Sequence, residues 1–315
     1  MKYLFGPVPS RRLGVSLGVD LVPHKVCSLN CVYCEVGRTT NLTIARREYV
    51  PIAEVIQELE AYLSLDPDLD FVTFSGQGEP TLNSGLGQVI DFIKDNYPPY
   101  QVAVLTNGTL FWDEKVRAEV MRADVLLPDL DAVSELAFLK VNRPAKELEI
   151  GRIIEGLIKL RQEFQGKIYL ELFLVPGLND TETELTLLKE TIGKIKPDII
   201  QLNTLDRPGT ESWVRPLSRE KLEEILGFFA PLPVEIVANP QSRKKIQSFH
   251  QDISDQILET IKRRPSTDKD LGAILGLHPN ELNKYLSDLI AAGKIETEEL
   301  ARGVFFKIKT PPQEK

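Results

Sequence analysis

All three cysteines of this 315-residue chain, Cys27, Cys31 and Cys34, fall on one short stretch, CSLNCVYC. An odd set spaced C-x3-C-x2-C cannot staple a chain of this length, so the thiols read as metal ligands rather than as a disulfide framework. Three thiolates on one loop can converge on a soft metal, with iron–sulfur clusters and zinc the usual occupants. On a four-iron cube, three protein ligands leave one iron open to a small molecule, which makes the open iron a catalytic feature. With His24, three residues before Cys27, the same thiols would instead close a tetrahedral Cys3His zinc site in a non-catalytic regulatory protein.

A second stretch, FSGQGEPT at 74–81, combines glycines with a carboxylate. Gly76 and Gly78 would let backbone approach a ligand closely, and Glu79, held by Pro80, could offer its charge to a cationic amino group. Taken alone, the stretch reads equally as a tight turn leading into a helix cap.

The elements that must position these motifs are legible as alternating short apolar runs and helical patterns, the signature of βα units on a parallel sheet. Strands are predicted at 14–22, 71–75, 101–106, 125–130, 167–175, 199–205 and 234–238, with helices near 51–64, 84–96, 112–122, 147–164, 180–195 and 218–229. About six repeats fit an α/β fold of the partial (β/α)6 TIM-barrel type. Right-handed crossovers then bring the loops after the strands to one rim, where sites are built. The cysteine loop follows the first of these strands and the Glu79 loop the second. Beyond residue 248 the pattern changes to helices at 254–264, 267–277 and 279–293 and two short apolar segments at 294–297 and 303–308. Thr267 and Pro279 stand at helix starts and Gly293 at a stop. Helix, turn, helix and hairpin make a winged helix-turn-helix-like unit, so the expected domains are 1–248 and 249–315, ending in a frayed tail.

Composition narrows the class. With 42% hydrophobic and 27% charged residues the chain can bury a real core. No apolar run approaches the ~18–20 residues of a membrane span, and Gly6, Pro7 and Pro9 interrupt the N-terminal apolar stretch, so a cytoplasmic protein without a membrane partner is expected. The net charge of −8 excludes non-specific polyanion binding by the whole chain, because neutralising phosphates needs surplus Lys and Arg. Only the region before Val50 is basic, with Lys2, Arg11, Arg12, Lys25, Arg38, Arg46 and Arg47 set against Asp20, Glu35 and Glu48.

Cys27, Cys31, Tyr33 and Cys34, in the order C-x3-C-x-aromatic-C, together with Gly78-Glu79-Pro80, resemble the radical S-adenosylmethionine (SAM) superfamily over residues 1 to about 240. The family's Gly-Gly-Glu-Pro reads Gln77-Gly78-Glu79-Pro80 here. The resemblance implies a metal set of Cys27, Cys31 and Cys34 holding a 4Fe–4S cluster whose fourth iron is chelated by the amino and carboxylate groups of SAM. It places Tyr33 near the adenine, Glu79 with Gly76, Gly78 and Pro80 at the amino group, and Thr106, Asn107 and Asn203 at ribose and carboxylate contacts. It also implies an external one-electron reductant of flavodoxin or ferredoxin type. With no further cysteine in the chain, one cluster is expected.

The stretches VTFSGQGEPTL, TNGTL, NRP and QLNTLDRPG look similar to the small iron–sulfur oxidoreductases related to the tRNA wyosine-base enzymes. A macromolecular substrate, RNA or protein, is therefore the expectation. Polar rim candidates to face it are Asp129, Asp131 and Arg143 for catalysis, with Asn142, Glu171, Asp206 and Arg207 beside them. If the C-terminal unit reads nucleic acid, Asn280, Glu281, Asn283 and Lys284 would face the groove, although acidic and basic groups balance there.

Overall fold

The structure is a computed structural model that describes residues 2–10, 12–237, 253–277 and 279–309. The expected boundary at 248, Arg11, Ala238 and the tail from 310 lie outside these residues, as do the side chains of Asn280, Glu281 and Lys284.

In chain order the first half contains β1 (Leu4–Ser10), β2 (Gly14–Val19), β3 (Val26–Cys27), β4 (Asn41–Leu42), α1 (Ile52–Leu63), β5 (Phe71–Phe74), α2 (Leu86–Asn96), β6 (Gln101–Thr106), α3 (Glu114–Glu119), β7 (Val125–Pro128) and α4 (Glu135–Val141). There follow α5 (Ile150–Glu163), β8 (Lys167–Phe173), α6 (Glu182–Ile195), β9 (Ile199–Asn203), α7 (Arg219–Phe229) and β10 (Val234–Ile236). Eight strands form one sheet in the order β1-β2-β5-β6-β7-β8-β9-β10, parallel throughout except for β1. Each parallel step is bridged by at least one helix, as the alternating sequence pattern requires.

Alternate residues sort the two faces. Leu17, Val72, Val104, Leu126, Leu170 and Leu202 belong to the large core under the helices. The opposite face carries an apolar cluster of Ala103, Val125 and Leu127 with Phe71, Leu105 and Tyr169, flanked by Ser16, Gly18 and Thr73 on one side and Glu171, Gln201 and Asn203 on the other; the Ser16 and Thr73 hydroxyls bond each other across β2 and β5. Parallel strands are ordinarily apolar on both faces. The polar flanks of this inner face therefore mark where a site is built.

β1 is not among the strands predicted from the sequence, and prolines deny ladder donors. It is tolerated because β1 lies at the sheet edge, where Pro7 and Pro9 remove no essential bond and the register to β2 shifts between Phe5 and Val8. The helix α4 was also missed, being a short segment capped by Ser134.

The C-terminal residues form α8 (Ile253–Arg263), β11 (Ser266–Thr267), α9 (Asp268–Leu275), α10 (Pro279–Ala291), β12 (Ile295–Leu300) and β13 (Gly303–Ile308), with strand order β11-β13-β12. Thr267 and Asp270 make a capping box at α9, and Gly293 takes φ 67° beyond α10. Ile257, Ile261, Leu271 and Leu286 form a second core that also includes Val8 and, at its border, Phe5 of β1. These helices thus cover the edge of the central sheet. Among the described residues no helix is long and apolar enough to cross a membrane.

Candidate functional site

The cysteine loop is fixed by backbone bonds to three other segments. Lys25 N–H donates to Gln77 O at 2.9 Å and Glu79 N–H to Val26 O at 3.0 Å, which zips it to the loop after β5. Asn30 N–H reaches Asn142 O at 2.9 Å, Val32 N–H reaches Val141 O at 2.9 Å and Ala145 N–H reaches Ser28 O at 2.9 Å, which ties it to the segment after α4. Glu211 N–H donates to Val32 O at 3.1 Å from the segment after β9.

Every thiol receives an N–H donor. Lys25 Nζ lies 3.0 Å from Cys34 Sγ, Asn107 Nδ2 lies 3.5 Å from Cys27 Sγ, and Asn142 Nδ2 lies 3.5 Å from Cys31 Sγ. Leu29 N–H adds a second contact to Cys27 Sγ at 3.5 Å. Donors of this kind favour an anionic sulfur. Burial works the other way: it pushes the Cys27 thiol up to about 11, opposed by the Lys25 charge, and raises Cys31 well above its usual value with help from the Asp131 charge. Lys25 is itself buried, and although burial disfavours its charge, the three neighbouring sulfurs push its pKa up. Lys25, Asn142 and Ser28, which accepts from Asn107 Nδ2 at 2.9 Å, were not read from the sequence as partners of the thiols. Only the distance in sequence between Asn107 or Asn142 and the cysteines hid them.

His24 stands apart. Its Nδ1 meets Gln77 Oε1 at 3.0 Å, and among the described residues no three His, Cys, Asp or Glu side chains gather to hold a single metal ion.

The glycines of the second motif are places where other segments come close. A Cβ on Gly78 would stand 2.1 Å from Val26 O, and one on Gly76, at φ 109°, would overlap Asp20 Oδ1. They make room for the cysteine loop and for Asp20. Gly78→Ala should force the two zipped loops apart, costing about 1–3 kcal/mol in unfolding experiments and lowering the iron retained after reconstitution. An unchanged melting temperature with full iron would show that the close approach is not needed.

Glu79 is buried, and Pro80 sits behind it at the first position of a 3-10 turn, Pro80–Leu82. Its Oε1 accepts from Thr81 N–H at 3.0 Å and from the Thr81 and Thr106 hydroxyls at 2.6 Å each, while Oε2 accepts from Asn107 N–H at 2.7 Å. Burial raises its pKa against these donors. Thr106 and Asn107 are thereby joined to the second motif, and Asn107 also to the cysteine loop. Tyr33 stacks on Phe173 with centroids 3.8 Å apart and donates to Asp131 Oδ2 at 2.5 Å. Asp131 also accepts from Asn142 Nδ2 at 2.7 Å and Phe173 N–H at 2.9 Å, and burial pushes its pKa up to about 6. Asp129 is raised well above the carboxylate range by burial and then by Glu171.

Other candidates lie further out. Asn203 Nδ2 donates to Glu171 Oε1 at 3.0 Å and contacts no thiol. Arg143 pairs with Glu211 at 2.6 Å on the outer side of the cysteine loop. Arg207 pairs with Glu35 at 3.2 Å, and Asp206 with Arg302 at 3.2 Å. Of the basic residues before Val50, Lys2 pairs with Glu54, Arg12 with Glu171, Arg38 with Glu211 and Arg46 with Glu119. Arg47 lies over the Tyr49 ring and Lys25 reaches Cys34.

Residues 21–189, more than half the chain, match the radical SAM superfamily model. The chain is 34% identical over 304 residues to a protein named GTPase Obg from Brachyspira hyodysenteriae, covering 96% of this chain but 44% of that protein. It is 30% identical over 312 residues to UPF0026 protein MJ1312 of Methanocaldococcus jannaschii, covering 97% of this chain and 96% of that one. Among solved structures, a radical SAM methyltransferase from Sphaerobacter thermophilus aligns with a TM-score of 0.53 at 19% identity, over 70% of this chain and 65% of that chain. TYW1 with a lysine-pyruvate adduct bound aligns with a TM-score of 0.50 at 17% identity, over 71% and 75%. On the clamped C-x3-C-x2-C loop and these likenesses, the chain belongs to the radical SAM superfamily, whose cofactors are a 4Fe–4S cluster and SAM.

Proposed function

We propose that this chain is a single-cluster radical SAM enzyme in which Cys27, Cys31 and Cys34 hold the cluster. The observation that carries the reading is that N–H donors from Lys25, Asn107 and Asn142 reach all three sulfurs on one rigidly clamped loop. This donor set suits thiolates bound to iron. With both cofactors bound, their chemistry is reductive cleavage of SAM to methionine and a 5′-deoxyadenosyl radical that abstracts hydrogen from substrate. An external flavodoxin- or ferredoxin-type protein would supply the electron.

The chain's own residues bind and orient. Glu79 Oε1 is filled by three donors, but Oε2 takes only Asn107 N–H, so it keeps lone-pair capacity for the cationic amino group of SAM. Asp131 Oδ2 accepts from both Tyr33 and Asn142, so the aromatic residue of the motif and a sulfur donor share one anchor. Tyr33 and Phe173, with Val32 and Val175 in the same apolar cluster, exclude water beside the loop.

The open strand order and polar-flanked inner face support a partial (β/α)6 barrel for residues 1–248. The order α8-β11-α9-α10-β12-β13 supports a winged-helix unit within 249–315. The expected macromolecular substrate, RNA or protein, remains a reading of the sequence.

The test is anaerobic purification with iron and sulfide reconstitution, followed by dithionite and SAM. About four irons per chain and formation of 5′-deoxyadenosine are expected. An iron-free protein filled stoichiometrically with zinc would end this reading.

A further inference from the structure

A cavity of about 230 Å³ opens on the inner face between β1, β2, β5 and α8. Ser16, Thr73 and Ser75 lie on its sheet side, and Phe5, Val8 and Leu105 give it apolar wall. Glu35 and Val36, immediately after Cys34, and Gly76 of the Glu79 motif also line it, so it adjoins both motifs of the proposed cofactor site.

Its ionisable lining is strongly one-sided: Arg12, Arg207, Arg263 and Arg264 against Glu35. The carboxylates that hold two of these arginines, Glu171 on Arg12 and Asp20 on Arg263, are not part of the lining and sit behind it. Arg207 is 5% exposed and is held by Glu35 at 3.2 Å and, more loosely, by Asp270 at 3.9 Å. A guanidinium has five N–H donors, and a single carboxylate occupies two at most. The Nε donors of Arg12, Arg207 and Arg263 have no hydrogen-bond partner, but they are closed off from solvent and do not reach the cavity. The carboxylates fix three of these side chains in place along its wall. Two of the four, Arg263 and Arg264, come from the end of α8 and the residue after it, which gives the C-terminal segment a direct part in building the wall.

Size narrows the occupant. A cavity of this volume holds on the order of fifteen to twenty water-sized groups, room for a small organic molecule with an anionic head. We propose that this cavity is the substrate site, and that it takes a small organic anion whose carboxylate or phosphate is gripped by Arg12, Arg207, Arg263 and Arg264 while its carbon skeleton rests on Phe5, Val8 and Leu105. The assignment rests on the radical SAM reading above and names the substrate class for it.

The test uses the full reconstituted chain at low ionic strength, titrated calorimetrically with inorganic phosphate and with malonate, each with and without saturating SAM. One saturable anion per chain is expected, with affinity unaffected by SAM. Arg264→Gln and Arg263→Gln should each weaken binding about tenfold, the effect of losing a charge-assisted bond. Arg264 is only half-buried, so its variant reports even if Arg263→Gln fails to fold. Absence of saturable binding overturns the proposal, and so does binding untouched by Arg264→Gln, which would mean an adventitious ion only. Competition by SAM overturns it differently, by assigning these arginines to the SAM carboxylate. Iron content and 5′-deoxyadenosine are measured on the same preparation. Cleavage without anion binding removes the cavity assignment alone, whereas anion binding to an iron-free chain removes the radical reading and leaves an anion site.

Discussion

Replacing Cys31 with alanine should leave the reconstituted protein without its iron chromophore and reduce 5′-deoxyadenosine formation to background. The chain has no fourth cysteine to stand in, since all three lie in the loop. His24 cannot substitute, because it faces Gln77 rather than the thiols. Two protein ligands cannot hold a four-iron cube against exchange with solvent, so the loss is of the whole cluster rather than of a fraction. Iron and sulfide analysis alongside the visible spectrum would read it. The loop itself should survive the change, because its clamps are backbone bonds from residues 25–32 to Gln77, Val141, Asn142 and Glu211. A folded, colourless protein is thus the specific expectation. A variant that retains full iron would show that the ligand set is wrong.

The sequence made the cysteine loop legible because three ligands within one loop carry their spacing with them. The parallel strands were legible for a similar reason: an apolar run such as QVAVLT is continuous in sequence and buried as a unit in β6. What could not be read is what folding alone brings together. Asn107 and Asn142 lie 80 and 111 positions from the cysteines whose sulfurs they reach. Only the clamp between backbone segments makes them neighbours. The missing Cβ atoms of Gly76 and Gly78 admit Asp20 and Val26, neighbours that the motif does not name. The edge position of β1 is a property of the sheet and not of the segment. Glu119, Glu171 and Glu211, which pair with Arg46, Arg12 and Arg38, are likewise 73 or more positions away.

The second large effect is expected at Asp20, which no sequence motif marks out. Asp20 is buried at the end of β2 and joins three segments: Oδ1 accepts from Gln77 N–H at 3.2 Å, Oδ2 faces Gln77 Nε2 at 3.4 Å, and Oδ2 pairs with Arg263 of α8. Burial pushes the Arg263 guanidinium down to about 10, a sign of how strongly its site resists charge, and its flank stacks on Phe5 with 4.4 Å to the ring centroid. Asp20→Ala therefore strands a buried cation, for which a cost of about 3–5 kcal/mol is expected in urea or thermal unfolding. Arg263→Met should remove the cation together with its desolvation, so the double variant Asp20→Ala/Arg263→Met should lose clearly less than the sum of the two single changes. Limited proteolysis should find α8 opened first in Asp20→Ala, since the ion pair is one of the links between that helix and the central sheet. Additive effects in the double variant, or a cost below about 1 kcal/mol for Asp20→Ala, would mean that water or another carboxylate compensates Arg263 and that apolar packing on Val8 and Phe5 holds the helix by itself.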